Sequence, residues 1–307
     1  MFPITELQAL NAGMVLLIVS LFAYVFRALL PKITAIRWLG WLAMVVSLAA
    51  LAVSLVLRSQ TAQYFALSNM YESLLVLILW MQAAFLLLDH QFRMVGLGWP
   101  VALLLLAALG FDTTLSRDIQ PLQAALQSYW RSIHVPVIIL SYAMFTLSFV
   151  SSLIYLVLTS RPSAASATPT AAPAMAGGGF SGPPPLPLIP MALPQAGPHW
   201  RYDALTYRCT LVGFPLLLIG IVLGGLWANE AWGNYWSWDP KESMSLATLL
   251  GYGIYLHLRL SGQGRGGSGF SPRQLAWVSI GAFVLLLITY FGVNLMGIGL
   301  HSYGRIG

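Results

Sequence analysis

The chain has 307 residues, of which 58% are hydrophobic and only 8% charged, and its mean hydropathy is +0.77. A soluble globular chain carries about 25% charged residues, so this one lacks the charge to coat itself in water and reads as an all-α, polytopic membrane protein. The single cysteine, Cys209, excludes an intrachain disulfide, a CxxC redox pair and a cysteine-rich metal site. The formal net charge of +6 does not point to nucleic acid, because the basic residues are spread over loops on one side of the expected membrane.

Eight apolar segments follow one another along the chain, several of them near the ~20 residues that cross a bilayer as a helix. They run Leu10–Leu30, Trp38–Leu57, Ser73–Leu88, Leu97–Phe111, His134–Leu158, Leu205–Leu226, Ser243–Leu260 and Leu275–Gly292. The fourth is the shortest and contains Pro100. The first has only Glu6 before it and Arg27, Lys32 and Arg37 after it, which reads as a retained helix rather than a cleaved signal.

With eight spans, one set of loops carries ten basic residues against two acids, Asp89 and Asp203. The other set, which includes both termini, carries five basic residues against seven acids. The positive-inside rule makes the first set cytoplasmic and places both termini outside. Residues 1–160 then hold helices one to five, and residues 204–307 hold helices six to eight. Between them, Arg161 to His199 contains ten of the 18 prolines and no charged residue after Arg161. Proline at that density prevents a helix, so residues 161–203 read as a disordered cytoplasmic linker rich in Pro, Ala and Gly. No internal repeat is visible, which weakens an inverted-repeat transporter reading.

The segment 227–242 on the outer side is Trp-Ala-Asn-Glu-Ala-Trp-Gly-Asn-Tyr-Trp-Ser-Trp-Asp-Pro-Lys-Glu. Asp239 suits an N-cap, Pro240 the first helical position and Glu242 the acid of a capping box. A helix start does not account for Trp227, Trp232, Trp236 and Trp238 falling within twelve residues. An interfacial tryptophan belt is one explanation. A flat aromatic surface for a large planar ligand is the other, since Trp232 and Trp236 share a face on a helical turn and Trp236 and Trp238 share one in extended chain.

Two histidines fall at the same membrane level. His134 opens the fifth segment and His301 lies just beyond the eighth. Imidazole is an axial ligand of haem iron, and two imidazoles fill both axial positions. His257 differs, because it lies 13 residues beyond Met244, roughly 20 Å inward along a helix. Ionisable groups within a span are functional candidates by default, with a snorkelling helix-end histidine as the alternative. His90 and His199 carry no assignment. No acid lies deep in any segment, so an ion-coupled pump has no relay, and no Walker motif, dinucleotide fingerprint or nucleophile elbow is present.

The tryptophan segment resembles the WWD signature of haem-handling proteins in cytochrome c maturation. SNMYESL around Glu72, LQSYWRSIHVPVIILSYA around His134, LTYRCTLVGFPLL, YGIYLHLR around His257 and FGVNLMGIGLHSYGRIG around His301 extend the likeness to the CcsA family. That family serves the System II pathway of cyanobacteria and chloroplasts. The resemblance implies a thylakoid or plasma-membrane protein that binds haem b and attaches it to the CxxCH motif of apocytochromes c on the lumenal or periplasmic face. It implies His134 and His301 as the outer axial ligands beside Trp227, Trp232, Trp236, Trp238 and Asp239, and His257 as a ligand of an internal haem. It also implies a CcsB-type partner subunit that supplies the second internal histidine, so that the chain is one subunit of a cytochrome c synthase. Separate thiol-reducing proteins would keep the substrate cysteines reduced. Ser243 and Met244 depart from the family pattern, which usually shows threonine and then tryptophan after Lys-Glu. The rival readings are a haem exporter or chaperone that does not catalyse attachment, and a quinone- or ion-handling subunit with an aromatic belt.

Overall fold

The computed structural model describes residues 4–92, 96–160, 199–261, 269–297 and 299–300. Eight main helices account for most of them: α1 (Glu6–Leu29), α2 (Thr34–Ala62), α3 (Met70–Phe92), α4 (Gly98–Asp112), α5 (Tyr129–Ser160), α6 (Trp200–Trp232), α7 (Pro240–Ser261) and α8 (Pro272–Leu287). A 3-10 turn, Ala124–Gln127, precedes α5. A π-helical turn, Ile288–Gly292, and the short helix Val293–Met296 continue α8. There is no strand among the described residues. Six of the helices, α1, α2, α3, α5, α6 and α8 with its π turn, are long and apolar enough to cross a membrane.

Each of the eight expected segments falls on a helix or its continuation, apart from the cap residues Leu30 and Leu97, and most helices run past the apolar stretches because capping chemistry, not hydropathy, sets their ends. Thr5 with Gln8 and Ser271 with Gln274 form full capping boxes at α1 and α8. Pro100 falls in the first turn of α4, where a missing N–H leaves no helical bond unmade. α6 starts at Trp200, so residues 200–203 of the expected linker are helical, and Asp203 there forms a bidentate pair with Arg259 of α7 at 2.6 and 2.7 Å. Residues 161–198, the rest of that linker, lie outside the described residues.

Sequential helices pack as antiparallel neighbours, α1 on α2, α5 on α6 and α7 on α8, while α3 and α5 are the most buried and form the centre. This alternation gives the bundle two ends. At one, Arg37 of α2 pairs with Asp89 of α3 at 3.1 Å, and Arg259 pairs with Asp203. At the other gather the start of α1, the end of α2, the start of α3 and the chain leading into α5.

Arg58 is the hub of that second end and is 1% exposed. Its Nε donates to Glu72 Oε1 at 2.8 Å, and its Nη1 reaches Glu6 at 3.4 Å and the Arg117 carbonyl at 3.1 Å. Glu72 also accepts from the Ser68 backbone N–H at 2.6 Å and from the Ser68 hydroxyl at 2.8 Å. The fully buried acids Glu72, Asp89 and Asp112 all sit at helix ends, which is consistent with the absence of acids from the middle of the apolar segments.

Removing one partner of a buried ion pair strands the other, at about 3–5 kcal/mol. Arg58→Ala therefore lowers the unfolding free energy in detergent by an amount of that order, and the midpoint with it. Arg58→Met with Glu72→Leu, which removes the closest pair together and leaves only the part-exposed Glu6 without its guanidinium, recovers part of the loss. Equal midpoints for wild type and Arg58→Ala would contradict the role given to this pair.

Candidate functional site

The site grows from the contact between α5 and α6, the most extensive helix pair in the bundle. α6 turns Gly213, Gly220 and Gly224 toward α5. A Cβ at Gly213 would meet the Phe145 ring at 2.7 Å, one at Gly220 would meet Ile138 Cβ at 3.0 Å, and one at Gly224 would meet His134 Cε1 at 2.8 Å. Three hydrogens in place of three side chains let the two backbones close in, the device small residues serve at helix interfaces in membranes.

That approach brings the His134 ring against the α6 backbone. Its Nδ1 lies 2.7 Å from the Gly220 carbonyl oxygen. A carbonyl oxygen only accepts, so Nδ1 carries a proton and donates it, which in the neutral imidazole puts the lone pair on Nε2. Histidines that ligate metals show this arrangement, in which the second nitrogen is held by a carbonyl or carboxylate. Pro136 sits two residues on, inside α5.

Trp227, on the same side of α6, is buried and lies near-parallel to His134, with ring centroids 5.9 Å apart and planes 23° apart. Its indole N–H donates to the Ala125 carbonyl in the 3-10 turn at 2.8 Å. Trp227 is thereby fixed from both sides, by the loop before α5 and by the imidazole on α5.

α6 continues through Trp232 and stops at Gly233, whose φ of +79° forms a left-handed cap with its N–H on the Asn229 carbonyl. The four indoles do not form one flat surface. Trp227 and Trp232 pack at 5.0 Å with planes 56° apart, both on α6. Trp236 and Trp238 lie in the loop beyond, at 5.6 Å and 89°. The expected Trp232–Trp236 face does not form because the helix ends between them. Trp238 takes φ +58° and is 70% exposed, an uncommon conformation for a bulky residue. The loop folds back over α6, and the Tyr235 carbonyl oxygen would lie 3.2 Å from a Cβ at Gly225.

His134, Trp227 and Trp236 line one cleft, with Arg131, Lys241 and Tyr290 from α5, α7 and the π turn of α8. Apolar side chains such as Ile138, Ile139 and Ile221 make up much of its remaining wall. The π turn aims Tyr290 inward, where its hydroxyl lies 3.0 Å from the Ser73 hydroxyl of α3; π turns often occur at functional sites.

Asp239 has two tasks. Its Oδ1 accepts from the Lys241 backbone N–H at 2.9 Å, and Glu242 reaches back to the Asp239 N–H at 3.2 Å and the Ser237 N–H at 2.8 Å. The expected capping of α7 is therefore present. Its Oδ2 accepts from the Leu300 backbone N–H, which ties the chain after α8 to the tryptophan segment. Gly299 has φ +89°, and a Cβ there would run into Asp239 Oδ2. His301 itself lies outside the described residues.

His257 is exposed on α7, on one face with Leu250 and Ile254, and is not part of the cleft. His90 is exposed at the end of α3, and His199 precedes α6 with its ring 6.1 Å from Tyr155. No group of three or more His, Cys, Asp or Glu side chains forms a metal cage among the described residues. Sequence reasoning missed the Gly220 and Ala125 carbonyls, which carry no side-chain signal, and it missed Arg131 and Lys241, which it had counted only as loop charges. The one available clue to Arg131 was its placement three residues before His134, on the same helical face.

A helical membrane bundle with an oriented imidazole and two angled pairs of indoles at one end defines the class. Residues 67–301 match the family model described as cytochrome C assembly protein. The chain is 35% identical to the cytochrome c biogenesis protein CcsA of Synechococcus elongatus over 96% of each chain. It is 35% identical to that of Guillardia theta over 96% of this chain and 95% of the relative, and 36% identical to that of Cyanophora paradoxa over 85% and 86%. The chain belongs to the CcsA branch of the cytochrome c assembly proteins.

Asp239→Ala removes the α7 cap, worth about 0.5–2 kcal/mol, together with the anchor of Leu300. Hydrogen exchange should show faster amide exchange at Lys241 and at Leu300 together. Faster exchange at Lys241 alone would separate the two tasks and refute the tether.

Proposed function

We propose that this chain acts in cytochrome c biogenesis at the haem-attachment step, binding haem b in the cleft beside His134. The observation that carries the reading is the Nδ1–Gly220 hydrogen bond, which presets Nε2 as a ligand, with the Trp227 ring stacked beside the imidazole. The relatives named for cytochrome c biogenesis over nearly the whole chain support it. In this reading His301 is the second outer ligand, and the Asp239–Leu300 bond holds the backbone one residue before it. Trp232, Trp236 and Trp238 extend the aromatic wall.

In the same reading all eight helices span the membrane and both termini are extracytoplasmic. The cleft end faces the lumen of the thylakoid, and residues 161–203 form a cytoplasmic linker between two helical parts, 1–160 and 204–307. His257 serves an internal haem site. Its exposure beside Leu250 and Ile254 supports a surface covered by a CcsB-type subunit, because an imidazole facing lipid is unfavourable.

The chemistry asked of the protein is placement. Each apocytochrome thiol adds its S–H across a haem vinyl C=C, forming one C–S and one C–H bond with nothing released. Holding thiol and vinyl in reacting geometry accounts for roughly 7–11 kcal/mol of barrier. Reduced cysteines come from separate thiol-reducing proteins, since Cys209 is alone and buried. The incoming CxxCH histidine displaces one outer imidazole, which couples attachment to release.

The test is the visible spectrum of the protein purified in detergent with its partner. Wild type shows a low-spin haem band, and His134→Ala shifts it to high spin or abolishes it. Gly224→Ala, which pushes a methyl into the imidazole, weakens the same band without touching a ligand. Retention of the low-spin band in both variants would contradict His134 as a ligand, and a haem-free wild type would favour an aromatic belt. Haem binding without attachment to a CxxCH peptide would favour the exporter reading.

A further inference from the structure

Arg131 precedes His134 by one helical turn on α5, and its side chain enters the same cleft. The residue is 3% exposed. Its Nη1 reaches the Phe65 carbonyl only at 3.4 Å, and its Nε has no partner. Glu72, the acid whose charge it feels, is already engaged by Arg58 and by both donors of Ser68. A buried guanidinium with unmade hydrogen bonds is costly, and here the open donor belongs to a side chain that lines the cleft.

A second cation lines the same cleft. Lys241, in the first turn of α7, donates from Nζ to Asn294 Oδ1 at 3.0 Å. The one acid among the described residues of the cleft wall, Glu242, has its carboxylate occupied by the N–H groups of Ser237 and Asp239. The cleft therefore offers an imidazole and an apolar wall, with two cations in its lining.

We infer that Arg131 and Lys241 bind the two propionate carboxylates of the haem substrate while His134 meets its iron. The inference rests on the proposed haem reading of the cleft and adds what fixes the ring's rotation in its own plane. An axial imidazole leaves the macrocycle able to turn about the iron–nitrogen axis. Two carboxylates held by two cations stop that turn and assign each vinyl group a fixed edge of the cleft. Arg131 supplies a planar fork suited to a carboxylate, and Lys241 supplies a point charge. Thiol addition then meets the same vinyl with the same cysteine in every turnover.

The experiment titrates the purified full-length protein with haem and with haem dimethyl ester, in which both carboxylates are blocked, and follows the Soret band. Wild type prefers the diacid by about tenfold or more, the equivalent of one charge-assisted hydrogen bond. Arg131→Gln with Lys241→Gln brings the two ligands to near-equal affinity, and Arg131→Lys retains part of the preference. The wild-type comparison needs no folded variant, and Lys241→Gln alone serves should the Arg131 variants fail to fold. Equal affinity of wild type for both ligands, or an undiminished preference in the double variant, overturns the inference. His134→Ala separates the two levels of the argument. If it weakens both ligands alike while wild type binds diacid and ester equally well, only the carboxylate assignment falls. If it weakens neither, the haem reading of the cleft falls and takes this inference with it.

Discussion

The close contact of α5 with α6 is the constraint on which the rest of the site depends. Gly213, Gly220 and Gly224 remove side chains along one face of α6, so that Phe145, Ile138 and His134 of α5 lie against bare backbone. In a membrane, helices gain no hydrophobic advantage from meeting, and close packing and interhelical hydrogen bonds take over. The His134–Gly220 bond is such a bond, and it also fixes which edge of the ring meets the α6 backbone. Packing and chemistry are one contact here. A bulkier face on α6 would lift the imidazole from the carbonyl, and with it the Trp227 ring stacked on that imidazole.

Around this contact the cleft end of the bundle is unusually polar for a chain of such low charge. Arg58, Glu72, Glu6 and Ser68 form a buried network that joins the first three helices. Buried charges of this kind are poor sources of net stability, yet they fix geometry because any slip leaves a charge unpaired. Glu72 is bonded to Arg58 and acts electrostatically on Arg131, so the network extends from the first three helices to the wall of the cleft. The same end holds the Trp227–Ala125 and Asp239–Leu300 bonds, which attach the loop before α5 and the chain after α8. Parts of the chain from α1 to the segment after α8 are thus held at this end by polar contacts, while the far end has two ion pairs, Arg37–Asp89 and Arg259–Asp203.

Much of the architecture was legible in advance, because apolar stretches of this length leave a helix few alternatives in lipid. All eight stretches are helical, and Asp239, Pro240 and Glu242 start α7 as local capping rules require. Helix ends were read less well. α6 begins at Trp200, inside the expected linker, and continues to Trp232, inside the tryptophan segment. Hydropathy marks where a helix is apolar, not where its hydrogen bonds stop. That error propagated into the expected aromatic platform, since Gly233 ends the helix between Trp232 and Trp236 and sends the indoles into two differently angled pairs.

The sequence by itself determined that the chain is an all-α bundle of membrane-spanning character, and it marked out His134 and the tryptophan segment. Those features depend on local composition, helical period and capping, which act over a few residues. Only the tertiary structure decided that His134 faces the Gly220 carbonyl, that Trp227 is pinned to Ala125, and that Asp239 holds Leu300. It alone turned Arg131 and Lys241 from loop charges into cleft residues. The three hydrogen bonds join groups 61 to 102 positions apart, and each uses a backbone group of a kind that almost every residue possesses. Such a partner has no signature in a linear pattern, and only the packing of one helix on another selects it.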